Sequence, residues 1–401
     1  MEETPPSDRL ILQSDWDQAL RERNGKAWIG FKSAAPPSDY SELNSHGFSP
    51  EGLLYLTTKD EQFAVSDIRH KSLVISYSGE RTALSRKFVA PVVTFSTIHA
   101  PKKQVSCVDT TQGGLGVSCD SEGNLKLWQT NTGEVRRQLV GHVGDVYTCR
   151  FFPSGIVVLS AGADMMAKIW SAETGQCATT ITGHRAAILD TAIVDRGRNI
   201  ITSSRDGTAK LWDVGRQECL FSFEEIGGDV NSCSIGVPDN SVDLGAAIPS
   251  KSDREISTEG KMLLLGCENG SLQGFGLESR DKIFSFSCES AVNTCQFVSD
   301  VHCVCGSQGG YLYILDLRNT DTPLAAWKES RGPILSLLPH KGGFFASTGD
   351  GSCFNVDEHF ETRAELTGSD CDPIYKICTD SANIYTSCRD GTIRKYNLNH
   401  I

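Results

Sequence analysis

Asp164 follows His142 by 22 residues, and Asp206 follows His184 by the same interval. Ser203 and Ser204 stand just before the second aspartate. Serine, histidine and aspartate are the side chains of a nucleophilic hydrolase, in which the histidine takes the serine proton and the carboxylate orients the ring. The spacing argues against that chemistry. Each histidine is preceded by glycine (Gly141, Gly183) and each aspartate is followed six residues later by tryptophan (Trp170, Trp212), so the set repeats with a period of 42 residues. An enzyme has no use for a second nucleophile one period along the chain. A buried indole N–H and a buried carboxylate each need a partner, and a histidine between them offers both a donor and an acceptor. The expectation is a structural network: His142, Asp164 and Trp170 in one unit, and His184, Asp206 and Trp212 with Ser203 or Ser204 in the next.

The elements that position these residues follow from the period. A Gly-His start, an aromatic finish and 42 residues between copies mark the blade of a β-propeller. Within each unit apolar and polar residues alternate up to a turn at Glu122-Gly123, Asp206-Gly207, Asn269-Gly270, Asp350-Gly351 or Asp390-Gly391, pairs that favour two-residue hairpins because both positions take positive φ. The residues closing the hairpins are Trp128, Trp170, Trp212, Phe275, Leu315, Val356 and Tyr396, with steps of 42, 42, 63, 40, 41 and 40. The long step contains an aperiodic stretch rich in Asp, Ser, Pro and Gly, which reads as a loop insertion at about 236–261. Seven blades of four strands need one more strand than residues 105–401 supply. The apolar run 88–95 is expected to provide it and close the ring, with Pro91 tolerated on an edge strand. The fold class expected is therefore all-β: a seven-bladed propeller over 86–401, preceded by a small α+β region over 1–85. In that region Ser14 is expected to cap a short helix with Trp16 and Leu20 on one face, and 58–67 reads as a hairpin.

Composition narrows the function. The 401 residues carry a net charge of −12, and residues 213–401 alone hold 27 acidic against 15 basic side chains. Such a surface repels nucleic acid and anionic lipid and attracts a basic protein partner. The start of the chain, MEETPPSDRL, lacks the apolar core of a signal peptide, which points to the reducing cytosol and the nucleus. The 15 cysteines include no Cys-x-x-Cys pair, and Cys303 with Cys305 has no second ligand pair nearby, so neither a metal nor a cofactor is expected. Gly113-Gly114-Leu115-Gly116 lacks the spacing and lysine of a phosphate loop, and Asn269-Gly270-Ser271 is a glycosylation sequon only in letters. Lys102-Lys103 and Arg136-Arg137 lack the interleaved aromatics of a nucleic-acid track. A protein-binding ring, monomeric when free, is what remains.

Over roughly 88–401 the pattern resembles the WD-repeat family, in which the histidine, a Ser or Thr, the turn aspartate and the tryptophan form a hydrogen-bonded chain. Longer stretches are more specific. ILDTAIVDRGRN at 188–199, SRDGTA at 204–209, FFPSG at 151–155, GDGSCF at 349–354, CDPIYK at 371–376 and QSDW at 13–16 resemble the proteasomal ATPase-associated factor family. That resemblance implies a chaperone that binds the C-terminal domains of ATPase subunits of the proteasome regulatory particle and restrains its association with the proteolytic core. Asp229, Glu289, Glu329, Asp370 and Asp372 each lie just before a predicted inner strand, where they would ring one face from blade four to blade seven and meet a basic partner surface. The rival reading is a substrate receptor or scaffold of a ubiquitin ligase, which often carries Trp-Asp-x-Arg after a blade's third strand. Here Trp212-Asp213-Val214-Gly215 has Gly in place of Arg, and Leu315-Asp316-Leu317-Arg318 lacks the aromatic.

Overall fold

A computed structural model describes residues 8–33, 37–79, 82–246 and 252–401. The Pro-rich start, residues 1–7, and the middle of the blade-four insertion, 247–251, lie outside the described residues. Seven antiparallel sheets follow one another along the chain as blades. Blade one is Val105–Thr110, Leu115–Asp120, Leu125–Gln129 and Val135–Leu139. The inner strands of blades two to seven are Val146–Phe151, Ile188–Val194, Val230–Gly236, Val292–Phe297, Ile334–His340 and Ile374–Thr379.

Burial grades outward through each blade, which explains the residue types. Second strands such as Asn199–Ser204 and Met262–Cys267 are buried on both faces and read as unbroken runs of apolar and small residues. The outer strand Val135–Leu139 is exposed over four of its five residues and carries Arg136, Arg137 and Gln138. Those charges blunt an edge that would otherwise template aggregation. Inner strands have bare edges too, and side chains of the preceding blade satisfy them. Asp109 accepts from the Phe151 N–H (2.7 Å), Asp190 from the Cys233 N–H (3.2 Å), and Ser336 from the Ile377 N–H (3.2 Å).

The ring is closed by Val93–Phe95, antiparallel to the third strand of blade seven, Ile393–Asn397, with Phe95 opposite Ile393. This strand is much shorter than the expected 88–95. Phe88 and Val89 belong to a separate strand, Ala83–Val89, which pairs in parallel with the outer strand of blade six, Thr362–Leu366. Pro91, without an N–H and with fixed φ, breaks the run at the point where the chain steps from blade six to blade seven.

In the N-terminal region strand far outweighs helix. Its helix is one turn, Trp16–Ala19, and its bulk is strand. Arg9–Leu12, Lys26–Lys32, Asp39–Phe48 and Leu54–Thr58 form one sheet. Phe63–Ser66, Ser72–Ser78 and Ala83–Val89 extend blade six into a seven-stranded sheet. The expected hairpin at 58–67 is thus a corner between two sheets. Its two arms alternate buried and exposed side chains as hairpin strands do, which is why sequence could not separate the cases. Asp15, rather than Ser14, is the N-cap residue, and no side chain caps the turn. The helix is held instead by burial of Trp16 and Leu20 in a core with Leu10, Ile29, Leu43, Leu73, Ile75 and Phe88.

Side-chain contacts add to the strand pairing that joins this region to the ring. The Trp16 indole N–H donates to Thr367 Oγ1 (2.9 Å), and Arg9 pairs with Asp350 (3.3 Å). Trp16→Phe removes the first bond and leaves Thr367 short of a donor inside the joint, at a cost of about 1–3 kcal/mol. A thermal scan should show a single transition at lower Tm. Two separated transitions in the parent would show instead that the regions unfold independently.

Candidate functional site

The expected networks form, with one change of member. His142 Nδ1 lies 2.8 Å from Asp164 Oδ2 and its Nε2 lies 2.7 Å from Ser160 Oγ, which also accepts from the Trp170 indole (2.8 Å). In the next blade His184 contacts Asp206 at 2.7 Å and Thr202 Oγ1 at 2.6 Å, and Trp212 donates to Thr202 at 2.8 Å. The hydroxyl is therefore Thr202, and neither Ser203 nor Ser204 takes part. Ser203 Oγ donates to the Asp190 carbonyl, and Ser204 Oγ donates to the Ala186 carbonyl and accepts from the Asp206 N–H. The bonding pattern assigns the proton to Nδ1 of each histidine, donating to aspartate, with Nε2 accepting from the hydroxyl.

This is the proton order of a hydrolase triad, yet it cannot run that chemistry. Ser160 and Thr202 are completely buried, and the indole N–H occupies the oxygen lone pair a nucleophile would use. Burial pushes the His142 and His184 rings below the ordinary imidazole range, against the pull of their aspartates. Burial alone would raise the Asp206 carboxyl. Thr208, the Arg185 N–H and His184 outweigh it and hold the group at about 2.

Sequence reasoning missed a third network. His99 bonds Asp120 (3.0 Å) and Ser118 (2.7 Å), and Trp128 donates to Ser118 (3.1 Å). Ile98 replaces the usual glycine, and His99 to Asp120 spans 21 residues instead of 22, so the Gly-His signature fails. Counting ten residues back from each tryptophan would have found Ser118, Ser160 and Thr202 alike. The blade turns also depart from expectation. Only the glycines take positive φ (Gly123 77°, Gly207 78°, Gly391 86°), and the preceding acid or amide instead accepts a backbone N–H two residues on, as Asp206 does from Thr208 and Asp390 from Thr392.

The networks pin the loops that lead into the inner strands, and there a shared irregularity builds a surface. All seven inner strands carry a register shift around their second residue: Ser106, Tyr147, Leu189, Asn231, Asn293, Leu335 and Tyr375. A bulge re-aims its side chain and bends the strand end. Each of these residues is half-buried at the same end of the ring. The polar ones staple blades together: Ser106 donates to the Val146 carbonyl, Asn231 to that of Val292 and Asn293 to that of Ile334. Leu189 and Leu335 can make no such bond, the Tyr147 ring lies beneath the Arg205 guanidinium, and the Tyr375 hydroxyl donates to Gln104. Beside Tyr147 on the same face, Val143 is 80% exposed and Met165 42%.

The five acids meet different fates. Glu289 and Asp370 are exposed and Asp229 is half-buried, and among the described residues no ion pair holds any of the three. Asp372 is spent on Arg389 (2.8 Å). Glu329 is a correction: it is buried, accepts from the Trp327 indole (2.9 Å) and pairs with the buried Arg331 (3.2 Å), which also reaches Glu365 (3.0 Å). Glu224, Glu225 and Glu268 are exposed beside Asp229 and Glu289, so the acidic arc spans blades four and five, while the exposed Arg185 and Arg205 lie on blade three. Neither Trp-Asp-x-Arg remnant presents a free arginine, since Arg318 folds back on Asp316 and Asp213 caps the Gly215 N–H. Among the described residues no His, Cys, Asp and Glu cluster could hold a metal ion.

Seven blades, buried Trp–Ser/Thr–His–Asp networks and a bulged rim define a WD-repeat propeller. The WD domain, G-beta repeat family matches residues 133–171 and 175–213, each beginning just ahead of an outer strand and ending in the third strand of the following blade, so repeat and blade are staggered. Proteasomal ATPase-associated factor 1 of Gallus gallus is 50% identical over 390 residues, covering 97% of this chain and 98% of its own. That of Homo sapiens is 50% identical over 393 residues, covering 98% and 99%. A probable proteasomal ATPase-associated factor 1 of Dictyostelium discoideum is 32% identical over 408 residues, covering 96% and 95%. The chain belongs to the proteasomal ATPase-associated factor 1 family.

Two outcomes test the networks. Thr202→Val strands a buried indole donor and a buried imidazole nitrogen and should cost about 2–4 kcal/mol in chemical denaturation, more than Ser204→Ala. The two histidines have folded pKa values below the unfolded value of about 6.5, so the unfolded chain binds more protons as pH falls and their stabilisation, complete above that value, is lost beneath it. The Tm gap between the parent and His142→Asn/His184→Asn should therefore narrow from pH 7.5 to 5.5. A gap independent of pH would refute the assignment.

Proposed function

We propose that the chain is a non-enzymatic protein-binding propeller that holds C-terminal domains of proteasomal ATPase subunits on its bulged rim. In this reading it acts as an assembly chaperone and restrains association of the regulatory particle with the proteolytic core. The relatives' name supplies the partner. The observation that carries the site is the rim itself, where seven repeated bulges lift Tyr147, Leu189, Leu335 and Tyr375 to one end of the ring beside the exposed Val143 and Met165. Aromatic and aliphatic anchors of this kind supply affinity, while a flanking charge arc supplies encounter rate and register. Asp229 and Glu289 belong to that arc and Asp370 stands apart on blade seven; among the described residues none of the three is ion-paired, and they suit a basic partner surface. Nucleic acid and membrane have no place in this reading. The free protein is read as a monomer of the cytoplasm and nucleus, in keeping with its fifteen free cysteines.

The purified chain should be titrated against each isolated ATPase C-terminal domain, and binding to none would sink the proposal. With the cognate domain, Asp229→Lys/Glu289→Lys/Asp370→Lys should slow association and flatten its salt dependence. Tyr147→Ala and Leu335→Ala should mainly speed dissociation, each by roughly 5- to 30-fold. The opposite pattern would place the contact on another face.

A further inference from the structure

In blades one to three the network pins the loop opening each blade to that blade's second strand, through a histidine in the loop and a hydroxyl in the strand. The hydroxyl stands ten residues before the tryptophan in every case: Ser118 and Trp128, Ser160 and Trp170, Thr202 and Trp212. In blade five the same count from Leu315, which replaces the tryptophan, gives Cys305 in the second strand His302–Ser307. Where the histidine belongs, in the loop opening the blade, stands Cys288, 17 residues earlier, against 19, 18 and 18 in the intact networks. The histidine pin is gone and two sulfurs face each other at 3.8 Å in its place, while the Glu289 N–H still donates to the Tyr313 hydroxyl (3.4 Å) and the Gly309 N–H to Ser290 Oγ (2.8 Å).

The pair is asymmetric. Cys305 is fully buried, and donation toward Cys288 together with burial pushes its thiol well above the usual range. Cys288 is half-buried at the head of the loop that carries Glu289 onto the rim. Cys288 therefore meets a solvent oxidant first, and among the described residues Cys305 is the one sulfur in bonding reach of it. The other close sulfurs among the described residues, Cys119 and Cys149 at 4.0 Å with Cys107 beside them, are buried between two blades and offer no such entry.

We propose that Cys288 and Cys305 are a site of reversible oxidation by peroxide, forming a disulfide that braces blade five where the histidine network is missing. The Cys288 sulfur attacks one oxygen of hydrogen peroxide, the O–O bond breaks, and sulfenic acid and water result. The Cys305 sulfur then attacks the Cys288 sulfur and displaces its hydroxyl, which leaves as a second water with the Cys305 proton. Two thiols are oxidised, one peroxide is reduced, and no further reactant is needed. Closing 3.8 Å to an S–S bond of about 2.05 Å is within the reach of side-chain torsions. The bond would fix the loop bearing Glu289 and so reduce the motion of one acid on the binding rim.

The test uses the full chain with a small excess of hydrogen peroxide, followed by alkylation of remaining thiols, intact mass and non-reducing peptide mapping. The expected product is lighter by about 2 Da before alkylation and carries two fewer alkyl groups than the reduced control after it, with a 288–305 cross-linked peptide that dithiothreitol releases, and it melts at higher temperature than the reduced protein. Cys288→Ser and Cys305→Ser should each abolish that peptide while keeping the parent's circular dichroism. Alkylation of both cysteines in peroxide-treated parent protein would overturn the proposal, as would a cross-link to any other cysteine or conversion of Cys288 to sulfinic acid with Cys305 still free. Mapping of the parent alone decides it if either variant fails to fold.

Discussion

Every blade is a four-stranded sheet, and every such sheet ends in two rows of backbone groups that nothing inside the sheet can satisfy. The rest of the structure answers that constraint. On the inner side, Asp109, Asp190 and Ser336 reach across to the next blade's N–H groups, and burial lifts Asp109 to about 6 although Phe151 donates to it. A carboxylate on the inner edge of a blade is costly, but an orphaned strand edge facing its neighbour is costlier. On the outer side the end strands are partly open to water, as the charged strand Val135–Leu139 of blade one is over four of its five residues. Blade six is the exception, because a whole domain is built against its outer edge.

That exception follows from ring closure. The strand completing blade seven must come from upstream of blade one, so the chain has to pass the outer edge of blade six to reach it. Ala83–Val89 pairs there, Pro91 stops the pairing, and Val93–Phe95 pairs again one blade further on. Thr367 is the knot of this passage: its hydroxyl accepts from Trp16 and donates to the Val89 carbonyl, while its own carbonyl accepts from Tyr396. The N-terminal strands thus extend the closure itself, which explains why, among the described residues, one sheet has seven strands and runs from the inner strand of blade six to Phe63–Ser66.

Features enforced by repetition were legible in the sequence, and those depending on contacts between distant segments were not. The 42-residue step and three tryptophans gave the blade count because each blade solves the same packing problem. Thr202 replaces Ser203 or Ser204 for two reasons: strand parity turns Ser203 to the opposite face, and Ser204, on the face of Thr202 but at the strand end, bonds the Ala186 carbonyl instead. The run 88–95 looked like one strand because apolar residues on both faces hide alternation, and only Pro91 marked the break. Glu329 could not be placed from its own neighbourhood. Its burial depends on Arg331, which is held by Glu365 and stacks over Phe354 at 4.6 Å, partners from the later strands of blade six that no local pattern announces.

The fading of the repeat after blade three has a physical reading too. Each later blade still ties its opening loop to its body, but by other means: Gln273 to the Ile226 carbonyl in blade four, the thiol pair in blade five, the Arg331 ion pairs in blade six, Tyr396 to Thr367 in blade seven. The His–Asp pairing commits two loop positions to the blade interior and draws the aspartate's charge inward. Where that pairing is lost, the loops are free to carry unpaired acids outward, as Glu289 and Asp370 do, and even a residue in the left-handed region, Cys371 at φ 57°. The acidity of the later half and the decay of its repeat are therefore one trade: uniform internal pins give way to individual ones, and the rim gains side chains that a partner can read.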